Sequence, residues 1–296
     1  MDLQEYLTYR RELVDKALDG MLPRDDNDAT GLNEAMRYSV FAGGKRIRPI
    51  LAMAAAEVVG AKPGSILPLA VALECVHTYS LIHDDLPAMD NDDVRRGKPS
   101  SHKVFGEALA ILAGDALLSF AFAVLSSPEA ERVYRADRLL KVVGELAAAS
   151  GPARLIAGQV ADISSEGKAV DEATVEFIVQ NKTAALIRAS LTCGATLAGG
   201  TREQIEILGT FGELLGAVFQ IRDDLLDLEG DAAKLGKAVR KDQDRGKATF
   251  PRLLGKEKAK ELLRHRLEAA LETLKPLGQH AEPLARIGEY VGSRMS

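Results

Sequence analysis

Glu74-Cys75-Val76-His77-Thr78-Tyr79-Ser80-Leu81-Ile82-His83-Asp84-Asp85-Leu86-Pro87-Ala88-Met89-Asp90 is the stretch on which the fold turns. Up to Asp85 it carries no glycine, no proline and no sustained alternation of apolar with polar residues, so it reads as the end of a helix over 66–85. His77, Ser80, Leu81 and Asp84 follow i, i+3, i+4, i+7 and share one face of that helix. On a straight helix Asp90 lies about 240° from Asp84. Pro87 removes a backbone hydrogen bond and clashes one turn back. The chain is therefore expected to bend or unwind over 86–90 and bring Asp90 round.

Working outward, the same helical periodicity runs through the chain. Helices are predicted over 2–19, 29–42, 48–60, 66–85, 106–126, 129–149, 152–165, 171–198, 202–228, 256–274 and 281–293. Breaks fall at 20–27, 61–64, 91–101, 127–128 and 229–247, and Pro23, Pro63, Pro128 and Pro152 sit at breaks. No long linker or repeat divides the 296 residues, so one all-α domain over 1–296 is expected. The chain has eight Phe, six Tyr and no Trp, so Ala, Leu, Val and Ile must fill the core. Small side chains allow close helix packing. Cys75 and Cys193 fall inside apolar helical patterns and read as reduced core residues.

The net charge of −5 disfavours a general nucleic-acid binder. The N-terminal segment MDLQEYLTYRRELVDKAL lacks the apolar stretch of a signal peptide, and its acidic residues disfavour a transit peptide. No uninterrupted apolar run reaches the ~18 residues of a membrane span. A cytoplasmic protein without a membrane partner is the expectation.

Five aspartates, Asp84, Asp85, Asp90, Asp92 and Asp93, crowd the end of the quoted stretch. Crowded carboxylates repel unless solvent or a cation compensates. A second cluster, Gln220-Ile221-Arg222-Asp223-Asp224-Leu225-Leu226-Asp227, ends another apolar helix. There Asp227 lies about 40° from Asp223 and about 60° from Asp224, so the three share an edge. Gln220 sits one turn below Asp224. Both clusters place negative charge late in a helix, where the helix dipole opposes it. All-carboxylate oxygen donors suit Mg²⁺ or Mn²⁺, which also takes waters and phosphate oxygens. A solvated acidic loop is the plain alternative for the first cluster.

Basic groups that could meet a polyphosphate are present. Gly43-Gly44-Lys45-Arg46-Ile47-Arg48-Pro49 offers a turn, three basic side chains and a following helix start. Arg95-Arg96-Gly97-Lys98 follows the first cluster, and 234–247 is rich in Lys and Arg. Lys182-Thr183 interrupts an apolar helix. His77 lies below the first aspartates. Ordinary basic loops, a snorkelling lysine and a structural histidine remain the alternatives. No nucleophile triad is visible.

Together GGKRIRP (43–49), ECVHTYSLIHDDLPAMDNDDVRRGKPS (74–100), GQVAD (158–162), NKTAALIRAS (181–190), FQIRDDLLD (219–227) and DRGKATFP (244–251) resemble the trans-isoprenyl diphosphate synthases. The likeness runs over about residues 30–255 and is strongest to the bacterial, farnesyl-forming branch, whose first aspartate motif carries the two extra residues Pro87 and Ala88. It implies an all-helical homodimer with a deep central cavity in each subunit. It implies a prenyltransferase that condenses isopentenyl diphosphate with dimethylallyl and then geranyl diphosphate to make farnesyl diphosphate.

The resemblance also implies roles. Asp84, Asp85, Asp90, Asp223, Asp224 and Asp227 would hold Mg²⁺ on the allylic diphosphate, with Mn²⁺ as substitute. Arg95, Lys182, Lys237 and Lys247 would clamp that diphosphate. Gly44, Lys45, Arg48, His77 and Arg96 would take isopentenyl diphosphate. Thr183 and Gln220 would face the reacting carbons. Tyr79, followed by Ser80, stands where the family gates chain length, and its bulk favours a fifteen-carbon stop. Geranylgeranyl or geranyl product, or a catalytically silent partner subunit, are the alternatives. Arg240 and Ala184 stand where the family commonly has glycine.

Overall fold

The computed structural model describes residues 2–24, 29–229 and 245–293. Asp2 starts α1 (Leu3–Met21) through a reciprocal capping box. Its carboxylate accepts from the Glu5 amide at 2.8 Å, and the Glu5 carboxylate accepts from the Asp2 amide at 3.1 Å. The chain continues through α2 (Leu32–Val40), α3 (Ile47–Val58) and α4 (Leu67–Asp84). Two short strands, β1 (Val94–Arg95) and β2 (Lys98–Pro99), pair antiparallel. The helices α5 (Ser101–Phe105), α6 (Glu107–Leu125), α7 (Pro128–Val133), α8 (Ala136–Ser150), α9 (Leu155–Ser165) and α10 (Glu172–Ile178) come next. A π-helical segment, Val179–Ala184, leads into α11 (Ala185–Ala198) and the long α12 (Arg202–Glu229). The chain ends with α13 (Phe250–Leu254), α14 (Lys256–Thr273), a 3₁₀ turn (Lys275–Ala281) and α15 (Glu282–Ser293). The fold is all-α, as the periodicity predicts.

The chain divides into two compact units, residues 1–50 with 66–139, and residues 51–65 with 140–296. In the first, α4 is the buried centre. Leu69, Ala70, Val71, Ala72 and Leu73 are consecutive and fully buried, the mark of a helix covered on all sides. Its main neighbour is α6, with α1 and α2 also against it. Gly114 of α6 makes room for His83: a Cβ there would lie 2.2 Å from the imidazole Nε2.

In the second unit α12 is the spine, packed on α11, α14, α15 and the π segment. Val175, Ile178, Val179, Ala217, Ile221, Leu225, Ala248 and Phe250 form one apolar cluster around it. Glycines again set the spacing. A Cβ at Gly216 would lie 2.3 Å from the Ala184 Cα, and one at Gly158 2.3 Å from the Lys182 amide nitrogen. The π segment is thus held by α12 and α9 at backbone distance. Ala184 is fully buried there, and Gly216 opposite supplies the space its methyl group needs.

Several expectations need correction. The helix predicted over 129–149 is two, because Tyr134 leaves the helical region at φ −116°, ψ 155°. The helix predicted over 171–198 is interrupted by the π segment. The loop predicted over 91–101 contains the β1–β2 hairpin, whose turn residues Arg96 and Gly97 have φ 54° and 77°, the left-handed pair that suits a two-residue hairpin turn. Among the described residues one stretch, Glu107–Val133, is long and apolar enough to cross a bilayer by length and composition. Asp115 stands inside this stretch, so it holds no uninterrupted apolar run of that length. The bend expected over 86–90 is present: α4 ends at Asp84, and the Asp90 amide donates back to the Asp84 carbonyl at 2.7 Å.

The close contact at Gly216 yields a direct test. Gly216→Ala should destabilise the chain by about 1–3 kcal/mol through backbone overlap with Ala184. The measurement is the urea midpoint at constant slope; an unchanged midpoint would mean that α12 shifts freely.

Candidate active site

In the first unit the turn between α2 and α3 carries Gly43, Gly44, Lys45 and Arg46, and Arg48 stands in the first turn of α3. Lys45 is exposed, and an Arg48 Nη1 lies 3.4 Å from His77 Nε2. Arg96 Nη2 lies 3.5 Å from the same imidazole nitrogen. Arg96 also donates to the Gly43 carbonyl. Gly44, at φ 133°, leaves room for it: a Cβ there would fall 2.6 Å from Arg96 Nη1. Arg46 is turned inward and is not one of the basic groups offered at the surface.

Burial first, then the charges of Arg48 and Arg96, hold His77 well below its ordinary value. The imidazole is neutral and stands between two guanidinium groups. Two guanidinium groups meeting at one neutral imidazole suit an anion rather than a metal.

The first aspartate motif closes around its own arginine. Arg95 Nε donates to Asp85 Oδ1 at 3.0 Å and Oδ2 at 3.2 Å, and Nη2 adds a third bond. Asp85 is 2% exposed, and burial raises its carboxyl above the ordinary range against the pull of Arg95. Asp84 is partly exposed, and Asp90 is buried beside the end of α4. Tyr79 is buried in α4, its ring edge-on to His83 with centroids 5.7 Å apart. Burial and the nearby Asp84 push its phenol up to about 12. Ser80 Oγ donates to the His77 carbonyl at 2.9 Å.

In the second unit the π segment brings out Lys182 and Thr183. Lys182 Nζ donates to Asp162 Oδ2 at 2.6 Å, and Lys247 Nζ to the same oxygen at 3.2 Å. Burial alone would raise Asp162, but the two lysines outweigh it and hold the carboxyl below its ordinary value. Thr183 Oγ1 donates to Gln220 Oε1 at 2.6 Å, and Gln220 Nε2 donates to Asp224 Oδ1 at 2.8 Å. Asp224 and Asp227 are buried and Asp223 is partly exposed on α12. Lys237 and Arg240 lie outside the described residues.

The arrangement offers two kinds of anion site. One is built of Arg and a neutral His. The other sets paired lysines near a hydroxyl, an amide and carboxylates. Among the described residues no three His, Cys, Asp or Glu side chains form a ready metal cage. The carboxylate donors fit a hard cation that arrives with water and phosphate oxygens as its other ligands.

The polyprenyl synthetase family matches residues 29–283 of the chain. The chain belongs to that family. A farnesyl diphosphate synthase of Geobacillus stearothermophilus is 45% identical over 294 residues, covering 99% of this chain and 98% of the relative. The chloroplastic large subunit 1 of the heterodimeric geranylgeranyl pyrophosphate synthase of Arabidopsis thaliana is 46% identical over 301 residues, covering 100% of this chain and 80% of the relative. The crystal structure of an FPP/GFPP synthase from Zymomonas mobilis superposes with a TM-score of 0.87 at 37% identity, covering 98% of each chain. The resemblance read from the motifs therefore holds, and this polyprenyl synthetase is a prenyltransferase acting on isoprenyl diphosphates.

Two residues of the site were missed in the polyprenyl synthetase sequence. Asp162 stands in GQVAD without any neighbour that marks it as the counter-charge of two distant lysines. Gln159, one turn earlier on the same buried face of α9, has both amide atoms buried without a hydrogen-bond partner in the protein. The signal available was the i, i+3 pairing of a buried amide with a buried acid.

The neutral His77 has a consequence for stability. The unfolded imidazole takes a proton near 6.5, whereas the folded one resists it. Below that pH the unfolded chain binds more protons, so acid weakens the fold through His77. His77→Gln should reduce the fall in Tm between about pH 7 and pH 5. Parallel Tm curves for the two proteins would contradict a neutral His77.

Proposed function

We propose that the chain makes farnesyl diphosphate, condensing isopentenyl diphosphate first with dimethylallyl and then with geranyl diphosphate. The carrying observation is the pair Lys182 and Lys247 on one Asp162 oxygen, with Thr183 next on the same π segment and Gln220 on the facing α12. Lys182, Lys247, Lys237 and Arg95 take the leaving diphosphate as its charge develops. Thr183 and Gln220 turn oxygen dipoles toward the cationic carbon. Mg²⁺, with Mn²⁺ as substitute, supplies charge neutralisation of the allylic diphosphate when held by Asp84, Asp85, Asp90, Asp223, Asp224 and Asp227.

The bonds balance without a side-chain base. The allylic C–O bond breaks and its electron pair leaves with diphosphate. The isopentenyl double bond, its own diphosphate held by Gly44, Lys45, Arg48, His77 and Arg96, attacks the allylic carbon. The new cation loses a proton to the released diphosphate.

A fifteen-carbon product is supported by the buried bulk of Tyr79, five positions before Asp84. A twenty-carbon product is the second reading, favoured by the 46% identity to the plant geranylgeranyl subunit. Intact aspartate motifs speak against a silent partner subunit. A homodimer is supported by the outer face of α6, where Ile111 and Leu112 are 42% and 55% exposed.

Purified protein given Mg²⁺, isopentenyl diphosphate and geranyl diphosphate should release mainly farnesyl diphosphate, read by chromatography of the dephosphorylated alcohols. Tyr79→Ala should lengthen the product, and Asp84→Ala should lower turnover by about three orders of magnitude. No prenyl product from any allylic partner would sink the synthase reading. An unaltered product length in Tyr79→Ala would sink only the gate.

A further inference from the structure

Arg46 stands between Lys45 and Arg48 in sequence but points the opposite way. It is 4% exposed. Its Nη1 donates to Glu74 Oε1 at 2.6 Å and reaches the Gly43 carbonyl at 3.4 Å. Its Nη2 donates to the Val40 carbonyl at 2.8 Å, and its Nε to Asp15 Oδ1 at 2.8 Å. One guanidinium thus ties α1, the end of α2, the glycine turn and α4 together. Glu74 is itself 1% exposed and lies one turn before His77 on α4.

The backbone adds to this. Arg46 has φ 53°, in the left-handed region that a residue with a β-carbon seldom occupies. Such a conformation persists where the surroundings over-determine it, and the four acceptors do so. The Arg46 carbonyl accepts from the Ile50 amide at 3.0 Å, so Arg46 opens α3, with Ile47 and Arg48 next in its first turn. Gly43 and Gly44, at φ 110° and 133°, complete the reversal. The direction of Lys45, Arg48 and the α3 N-terminus is set by where this one side chain is anchored.

We propose that Arg46 is a positioning residue for the isopentenyl diphosphate site, its clasp on Glu74 and Asp15 holding Arg48 beside His77 and fixing the turn that presents Lys45. This rests on the function proposed above. A purely structural Arg46 affects stability alone; a positioning Arg46 affects one of the two substrates.

The double variant Arg46→Met, Glu74→Met removes both buried charges together and takes a partner only from Asp15, whose side chain is 41% exposed to water. Its KM for isopentenyl diphosphate should rise roughly tenfold to a hundredfold, with KM for geranyl diphosphate within about twofold of the parent. Arg46→Lys keeps the charge but not the fork, should raise the same KM by a smaller factor, and decides the matter if the double variant fails to fold. An unchanged KM for isopentenyl diphosphate in a folded variant, or an equal rise for both substrates, would overturn the proposal. The parent protein runs in the same assay. If it makes no product, the proposed function fails and takes this inference with it. If it is active while the variants match it, Arg46 alone loses its role.

Discussion

Three buried carboxylates among the described residues each hold one or two cations in place. Glu74 holds Arg46, Asp85 holds Arg95, and Asp162 holds Lys182 and Lys247, and these acids are 1%, 2% and 5% exposed. Exposed ion pairs contribute about 0–1 kcal/mol and leave long side chains free to wander. Breaking a buried pair by removing one partner costs about 3–5 kcal/mol, because an uncompensated charge is left behind. The burial of these acids is therefore what gives otherwise flexible Lys and Arg groups defined positions. Under the proposed function, Arg95, Lys182 and Lys247 are arranged before any diphosphate arrives, and arrangement in advance is what electrostatic stabilisation of a leaving group requires.

The helices reach these positions because the core is built of small residues. Glycines at 114, 158 and 216 each face an atom that a β-carbon would overlap. Two of them clamp the π segment, and that segment carries Lys182 and Thr183. A π turn inserts one residue into the helical ladder and re-aims the side chains beyond it, which is why such turns recur at functional sites. A bulky ring in place of Gly158 or Gly216 would hold the helices apart.

Much of this was legible in the sequence, and the parts that were missed have physical reasons. The run from Glu74 to Asp85 carries its helix in its spacing, and Pro87 marks where the helix must stop. Tyr134 ends a helix with neither glycine nor proline nearby, so nothing announced the break. The π segment shifts register by one residue inside an apolar stretch, too little to disturb a periodicity taken over a whole helix. Strands of two residues are too short to alternate, so the hairpin carrying Arg96 read as loop. The inward turn of Arg46 and the pairing of Asp162 with Lys182 and Lys247 depend on partners far away in the chain. Side chains of the same type, crowded together around Lys45, do not reveal which one faces in.

Under the proposed function the two anion sites differ in their needs: isopentenyl diphosphate requires only basic groups, whereas the allylic diphosphate requires carboxylate-borne metal as well. Isothermal titration tests this directly, using isopentenyl diphosphate and an unreactive thiolo analogue of geranyl diphosphate, each with EDTA and with Mg²⁺. The prediction is one equivalent of isopentenyl diphosphate per chain in EDTA, and binding of the allylic analogue only when Mg²⁺ is present. Allylic binding that ignores Mg²⁺, or isopentenyl diphosphate binding abolished by EDTA, would contradict it.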